Sequence, residues 1–328
     1  MRPFTYTRAS TVDDAISAFQ SQPEARFLAG GTNLVDLMKM NVEQPAHLID
    51  ITRLPLTYLE EQNGGMRIGA LVSNRDLASH PLIRERYPML AMALLSGASP
   101  QLRNMATTAG NLLQSTRCYY FYDPTYAECN KRDPGSGCAA IQGYNRMHAI
   151  LGASPQCIAT NPSDMAVAMT ALDAMIHIHG PRGARSMPIT EFYRLPGDTP
   201  QINNNLHSGE LITGVDLPAI DARKSTYIKV RDRNSYAFAL VSAAASIVLD
   251  PNGMVREARV AVGGVAPKPW RIPEAEQSML GKKPGPDAYR AAAEILVRGA
   301  KPYSDNAFKV ELTRRAVIRA FENAAART

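Results

Sequence analysis

Only four cysteines and one tryptophan occur in the 328 residues, and aromatics make up 7% of the chain. No stretch approaches the roughly 20 apolar residues of a membrane span, so none is predicted. No run of Lys or Arg exceeds two, and aromatics are not interleaved with basic clusters. The net charge of +6 therefore reads as a solvated basic surface rather than a nucleic-acid site. The chain has neither G-x-G-x-x-G nor a Walker A loop, which excludes Rossmann and P-loop readings. It also lacks any C-x-x-C pair, so zinc-ribbon and bacterial ferredoxin spacings are absent. The opening "MRPFTYTRASTVDDAISAF" has no apolar h-region, so the expectation is a chain without its own signal peptide, cytoplasmic by default. In that compartment cysteines lean toward metal or redox use rather than disulfides.

What is present is globular: 45% hydrophobic and 20% charged residues, with 22 Gly and 23 Pro. The length suggests two domains or three. "PFTYTRA" alternates like a strand. Ser10 or Thr11 then caps a helix, "VDDAISAFQS", with Asp13 and Asp14 in its first turn. "ARFLAGGTNLVDLMKM" reads as strand, glycine turn, helix; "HLIDI" and "MRIGALVS" are strands, and "PLIRERYPMLAMALLSGA" is helical. "PSDMAVAMTALDAMIHIHG" is a helix running into a strand. Beyond "PAIDARKST" come three strand-like runs, "TYIKVRD", "AFALVSAAASIVL" and "VREARVAVGGV", with "DPNG" as a hairpin turn. Two amphipathic helices close the chain. The alternation predicts an α+β or α/β fold with a domain boundary near residue 222.

Three short stretches are suited to a phosphate-bearing ligand. In Leu28–Leu34, Gly30 and Gly31 permit positive φ and close backbone approach. Thr32 and Asn33 add donors, and the following helix start offers free N–H groups. The same turn serves equally as a plain strand-to-helix connection. In the second stretch, "QLRNMATTAGNLLQ", Thr107, Thr108, Gly110 and Asn111 can face phosphates or a ring edge, or simply cap a helix. In the third, Ser163 or Asp164 opens a helix as its cap, and Asp164 can alternatively accept from ligand hydroxyls.

All four cysteines lie between positions 118 and 157, a clustering that chance gives on the order of one time in a hundred. The segment 115–160 is poor in core-forming aliphatics, so a crosslink or metal is a plausible source of its order. Cys118, Cys129, Cys138 and Cys157 are separated by ten, eight and eighteen residues. Spacing alone leaves zinc, [4Fe–4S] and two disulfides open. Tyr119, Tyr120 and Tyr122 read as packing around the site, and Gly135 and Gly137 as places where backbone approaches sulfur. His148, His177 and His179 read as surface or satisfied core positions.

In order, "LAGGTNL", "QLRNMATTAGNL" and "PSDMAVAM" resemble the FAD-binding subunit of the xanthine dehydrogenase/carbon monoxide dehydrogenase family of molybdenum hydroxylases. "YIKVRDRNSYAFALVSAAA" and "VAVGGVAPKPWR" are similar to that family's C-terminal flavoprotein domain. The resemblance implies an α+β chain whose residues 1–222 form a two-subdomain FAD-binding fold of the PCMH/vanillyl-alcohol-oxidase type, divided near residue 55. Residues 223–328 would then form an α+β domain, a three-stranded sheet with helices. It further implies FAD held by Leu28, Ala29, Gly30, Gly31, Thr32, Asn33 and Leu34 at the pyrophosphate, and by Thr107, Thr108, Gly110 and Asn111 toward the ribityl chain. Asp164 would lie on that sugar-like chain and Lys229 near the isoalloxazine; a strand-surface lysine is the alternative for Lys229.

The insertion "RC-YFYD…CNKR-PGSGCAA" resembles that of flavin subunits of periplasmic-type aldehyde oxidoreductases, which carry a [4Fe–4S] cluster. That resemblance, and a redox centre's use beside a flavin, favour the cluster on the four cysteines. Partners implied are a molybdopterin-binding large subunit and a [2Fe–2S] small subunit in a heterotrimer, with an external electron acceptor. A signal-bearing partner would make periplasmic co-export the alternative location. Two rivals stand beside this reading: a stand-alone FAD oxidoreductase with a structural zinc, and a non-enzymatic scaffold whose cysteines staple a loop.

Overall fold

The computed structural model describes residues 1–22, 24–221 and 224–327. Near the N-terminus β1 (Thr5–Arg8), β2 (Ala25–Leu28) and β3 (His47–Asp50) form a parallel sheet in the order β1-β3-β2. Parallel strands need crossover connections, and the helix Val12–Ser21 carries the chain from β1 to β2, on the far side of β3. Its cap is Thr11, whose side chain accepts from Asp14 N while Asp14 reaches back to Thr11 N, a capping box.

The second sheet is antiparallel: β4 (Leu59–Gln62), β5 (Gly65–Gly69), β6 (Met175–Gly180), β7 (Gly183–Pro188) and β8 (Leu211–Leu217), in the order β4-β5-β8-β6-β7. Helices and the cysteine segment fill the chain between β5 and β6. The helical stretch expected after Pro81 is two helices, Pro81–Arg86 and Pro88–Ser96. Pro88 disfavours helical backbone at Tyr87, which breaks the first and starts the second.

The third sheet is antiparallel and three-stranded, β11-β10-β9, from β9 (Ser225–Val230), β10 (Val241–Leu249) and β11 (Val255–Gly263). The "DPNG" turn joins β10 to β11: Asp250 Oδ1 accepts from Asn252 N and Met254 N, and Gly253 takes φ +77°. The helices Pro286–Val297 and Phe308–Ala325 pack with this sheet in one apolar cluster, where the Tyr289 and Phe321 rings stack at 5.4 Å between centroids. The expected boundary near residue 222 lies outside the described residues. On either side of it, β8 and β9 belong to different sheets.

One helix joins the two halves. Asp164–Ala171 is apolar on all sides, packing against the helix Pro88–Ser96 and against β10 and β11. A helix apolar all round belongs inside, and this placement puts its N-terminus at the junction. The cysteine segment closes the same junction. It contains only short helices, Tyr119–Tyr122 and Ala139–Gln142. Its far end docks on the third sheet, Ile150 N and Leu151 N both donating to Val265 O.

Candidate functional site

The glycine turn follows β2. Gly31 has φ +72°, which a side chain rarely adopts. Gly30 is required for a different reason: a Cβ there would lie 1.7 Å from the Met105 carbonyl oxygen, so the first and second loops touch backbone to backbone. Asn33 does not cap the helix Leu34–Lys39 with its side chain. Its Oδ1 accepts from Ser115 N (2.9 Å) and its Nδ2 donates to Tyr122 Oη (3.3 Å), tying the turn to the cysteine segment. Leu28, Ala29, Thr32 and Leu34 are half-buried alongside.

In the second loop Thr107 caps the helix Thr108–Leu112, its Oγ1 accepting from Gly110 N at 3.2 Å. Thr108 is fully buried and donates its hydroxyl to Val72 O at 3.0 Å. Both hydroxyls thus hold the loop in shape, which corrects the reading of Thr108 as a side-chain donor to a ligand. Asn111 Oδ1 accepts from Ser163 Oγ at 2.6 Å, joining this loop to the third stretch across the whole cysteine segment.

Ser163 caps the helix Asp164–Ala171 through Ala166 N. Asp164 then sits at the junction with both oxygens engaged, Oδ1 by Tyr227 Oη (2.6 Å) and Oδ2 by Lys229 Nζ (2.7 Å). Lys229, on β9, also donates to Ser96 O (3.1 Å), and its side chain is 4% exposed. It is therefore not a surface lysine. It faces Asp164. Burial, with the Asp164 charge beside it, pushes the Tyr227 phenol well above its ordinary range.

Asp164 opens onto a cavity of about 350 Å³. The cysteine segment supplies Arg117, Cys118, Tyr119, Tyr122 and His148 to its wall; the C-terminal half supplies Phe238, Ser242, Gly263 and Gly264. Arg117 spans the junction. It pairs with Asp36 of the helix after the glycine turn (3.2 Å), hydrogen-bonds Tyr122, and lies over the Phe238 ring at 5.0 Å.

The four cysteines are free thiols that together line a second, small cavity. Cys118 lines both cavities. Cys129 and Cys138 face each other across an antiparallel bridge. Cys118 and Cys138 occupy the N-cap positions of the two short helices. Burial pushes the Cys118 thiol up to about 12, while the backbone N–H groups of Phe121 and Tyr120 act in the opposite sense. Cys138 and Cys157 are raised by burial in the same way. His148 is buried with Nε2 3.1 Å from Cys118 Sγ. Burial and the charge of Lys309 lower its imidazole to about 4.

Comparison with known proteins now decides the family. Residues 2–220 match the model described as the FAD-binding domain in molybdopterin dehydrogenase, and residues 226–324 the C-terminal domain of the CO dehydrogenase flavoprotein. This chain is a FAD-binding subunit of the molybdenum hydroxylase family. It is 53% identical over 317 residues to the aldehyde oxidoreductase FAD-binding subunit PaoB of Escherichia coli K12, covering 96% of each chain. It is 28% identical to the glyceraldehyde dehydrogenase medium chain of Sulfolobus acidocaldarius, covering 98% of each. A carbon monoxide dehydrogenase chain from Hydrogenophaga pseudoflava superposes with a TM-score of 0.77 at 27% identity, covering 100% of this chain and 99% of that one.

The residues present fit a flavin dinucleotide in two respects. The glycine turn leaves no room for a side chain at Gly30 and reaches the cavity wall through the Asn33–Tyr122 contact, while Ser163 and Asp164 line the cavity itself. Among the described residues no group of three or more His, Cys, Asp or Glu side chains is gathered to hold a single metal ion. Tetrahedral zinc with Zn–S near 2.3 Å sets sulfurs about 3.8 Å apart, so the rival with a structural zinc is not favoured. The thiols border a shared space instead. His148 and Arg117 were missed by sequence reasoning as site residues. A histidine in a segment without apolar period carries no burial signal, and the partners of Arg117 lie 81 and 121 positions away. Gly135 and Gly137 have φ +93° and +105°, so the requirement visible there is turn conformation. His177 pairs with Asp216 at 2.8 Å, a satisfied position.

Proposed function

We propose that this subunit carries both FAD and a [4Fe–4S] cluster, and that it is the middle subunit of a heterotrimeric molybdenum hydroxylase oxidising aldehydes to carboxylic acids. Its partners would be a molybdopterin-binding large subunit and a [2Fe–2S] small subunit, with an external electron acceptor. The observation that carries the reading is Cys118, which lines the flavin cavity on one side and the four-thiol cavity on the other. The likeness to an aldehyde oxidoreductase subunit supports the substrate class. When bound, the flavin supplies exchange of one or two electrons and the cluster exchange of one.

The chain's own residues hold and shield. The turn Leu28–Leu34, with Thr107, Gly110 and Asn111, offers backbone N–H groups and small side chains to a pyrophosphate and ribityl chain. Asp164, fixed by Tyr227 and Lys229, presents a carboxylate to hydroxyls. Removing Lys229 alone would strand that carboxylate, at a cost of about 3–5 kcal/mol. Cys118, Cys129, Cys138 and Cys157 are the cluster ligands, and buried Tyr120 and Phe121 exclude water from them.

Metal and sulfide analysis of anaerobically purified protein tests the reading, which expects about four irons per chain together with flavin. Zinc with flavin would point to the stand-alone rival, and a colourless protein to the scaffold. Gly31→Val should abolish flavin occupancy, because the side chain strains a φ of +72° and meets Val35 at 3.1 Å. Normal flavin in that variant would remove the turn from the site.

A further inference from the structure

His148 lines the larger cavity beside Cys118, which also lines the smaller one, and the function proposed above gives it no task. It is 2% exposed, its ring borders the flavin cavity, and Nε2 lies 3.1 Å from the sulfur of Cys118, the cysteine common to both spaces. Its backbone is clamped from the C-terminal domain. Lys309 Nζ donates to His148 O at 2.9 Å and to Gly264 O at 2.6 Å, and Asn306 Nδ2 donates to His148 O at 3.3 Å. His148 N in turn donates to Asn145 O at 2.9 Å. Asn145, Asn306 and Lys309 are all fully buried. A fully buried polar set of this kind fixes its members in place. It holds the imidazole against one sulfur of the four.

The consequence follows from donor and acceptor capacity. A cysteine sulfur bound to iron has lost its proton and can only accept. A neutral imidazole carries one N–H, so a favourable contact with that sulfur requires the proton on Nε2. An N–H···S bond draws charge from the sulfur and stabilises the more negative, reduced form over the oxidised one; hydrogen bonds to sulfur are among the factors that set iron–sulfur potentials. Resting on the reading of the four cysteines as cluster ligands, we infer that His148 is a positioning residue of the redox unit. It donates Nε2–H to Cys118 Sγ and so raises the cluster's reduction potential at the ligand facing the flavin cavity.

The test is an EPR-monitored redox titration of the purified complex carrying wild-type subunit, His148→Leu or His148→Gln. Leucine removes the donor, and the reduction equilibrium constant should fall about tenfold, about 59 mV for one electron. Glutamine restores a side-chain N–H and should recover at least half of that shift, which a purely packing role would not produce. Equal potentials in wild type and His148→Leu would overturn the inference, as would equal shifts in the two variants. Should the leucine variant lose its iron, His148→Gln decides: iron retained near the wild-type potential supports the donor role, and iron lost overturns it. Absence of iron from the wild-type complex would instead defeat the cluster reading itself.

Discussion

The C-terminal domain and the cysteine segment are ordered by opposite means. In the former, Val241 to Ile247 of β10 are buried without interruption, and sheet and helices share one large apolar cluster. In the segment 115–160 the apolar clusters around Phe121 and Tyr120 are small, and order comes from polar contacts. Buried Asn130 is the centre: its Oδ1 accepts from Gly135 N and Gly137 N, both 2.9 Å, and its Nδ2 donates to the backbone and side chain of Gln156. Arg132 Nη1 donates to Tyr120 O and Phe121 O, and Lys131 Nζ to Pro200 O. Apolar burial follows from periodicity and needs nothing else. A polar web around four thiols gains from whatever those thiols hold, because ligand binding free energy adds to folding free energy. The first region should therefore fail globally when cut, and the second locally.

The largest effect is expected from Phe321→Ala. Phe321 is fully buried against Tyr289, and truncating such a ring costs about 3–5 kcal/mol. Denaturant unfolding should show the loss across the whole transition, with iron per folded chain unchanged. A loss confined to the C-terminal helices would mean that the two halves unfold separately. Cys129→Ser comes next. If the four thiols hold the proposed cluster, this variant should lose iron and open the segment 115–160 to proteolysis, while flavin survives at least in part and the unfolding midpoint of the remainder moves little. Unchanged iron would take Cys129 out of the ligand set. Asn130→Ala should cost about 1–3 kcal/mol, because it removes the hydrogen bonds that buried Asn130 makes to Gly135 N, Gly137 N and Gln156. Faster proteolysis within the segment is the readout; a lowered global midpoint with an intact segment would contradict the comparison.

The same contrast explains what could be read from the sequence. The three strands of the C-terminal sheet, its "DPNG" hairpin and its helices follow from apolar period and turn chemistry, and all appear where expected. The cap at Thr11 and the glycine turn after β2 were legible because caps and glycine turns are local. What was not legible depends on partners distant in sequence. For Lys229 the residues alone leave a strand-surface lysine open beside a place near the flavin, and only Asp164, 65 positions away, shows that it turns inward. Thr108 reads as a ligand donor until Val72 takes its hydroxyl. Nothing in "SDNAFKVELT" marks Lys309 as fully buried, since a lysine at a helix start is ordinarily solvated.

Lys309 gives the smallest effect and the finest test, because it joins the two regions: a C-terminal helix places a buried ammonium against the carbonyl of His148 in the cysteine segment. Burial lowers it to about 7, with the charge of Arg146 acting in the same direction. In the unfolded chain a lysine titrates at about 10.4. Between those values the unfolded state binds more protons than the folded one, so stability rises with pH through that window. Below about pH 7 both states are protonated, the slope vanishes, and the cost of burying the charge is carried in full. The slope cannot exceed about 1.4 kcal/mol per pH unit. Relative to Lys309→Met, the wild type should gain about 1–2 kcal/mol between pH 7 and pH 8.5, measured by urea unfolding at both values. Parallel pH profiles for the two proteins would mean that the ammonium keeps its ordinary pKa. The contact between the C-terminal helix and the cysteine segment would then be hydrated, and the rigid clamp on His148 would be lost with it.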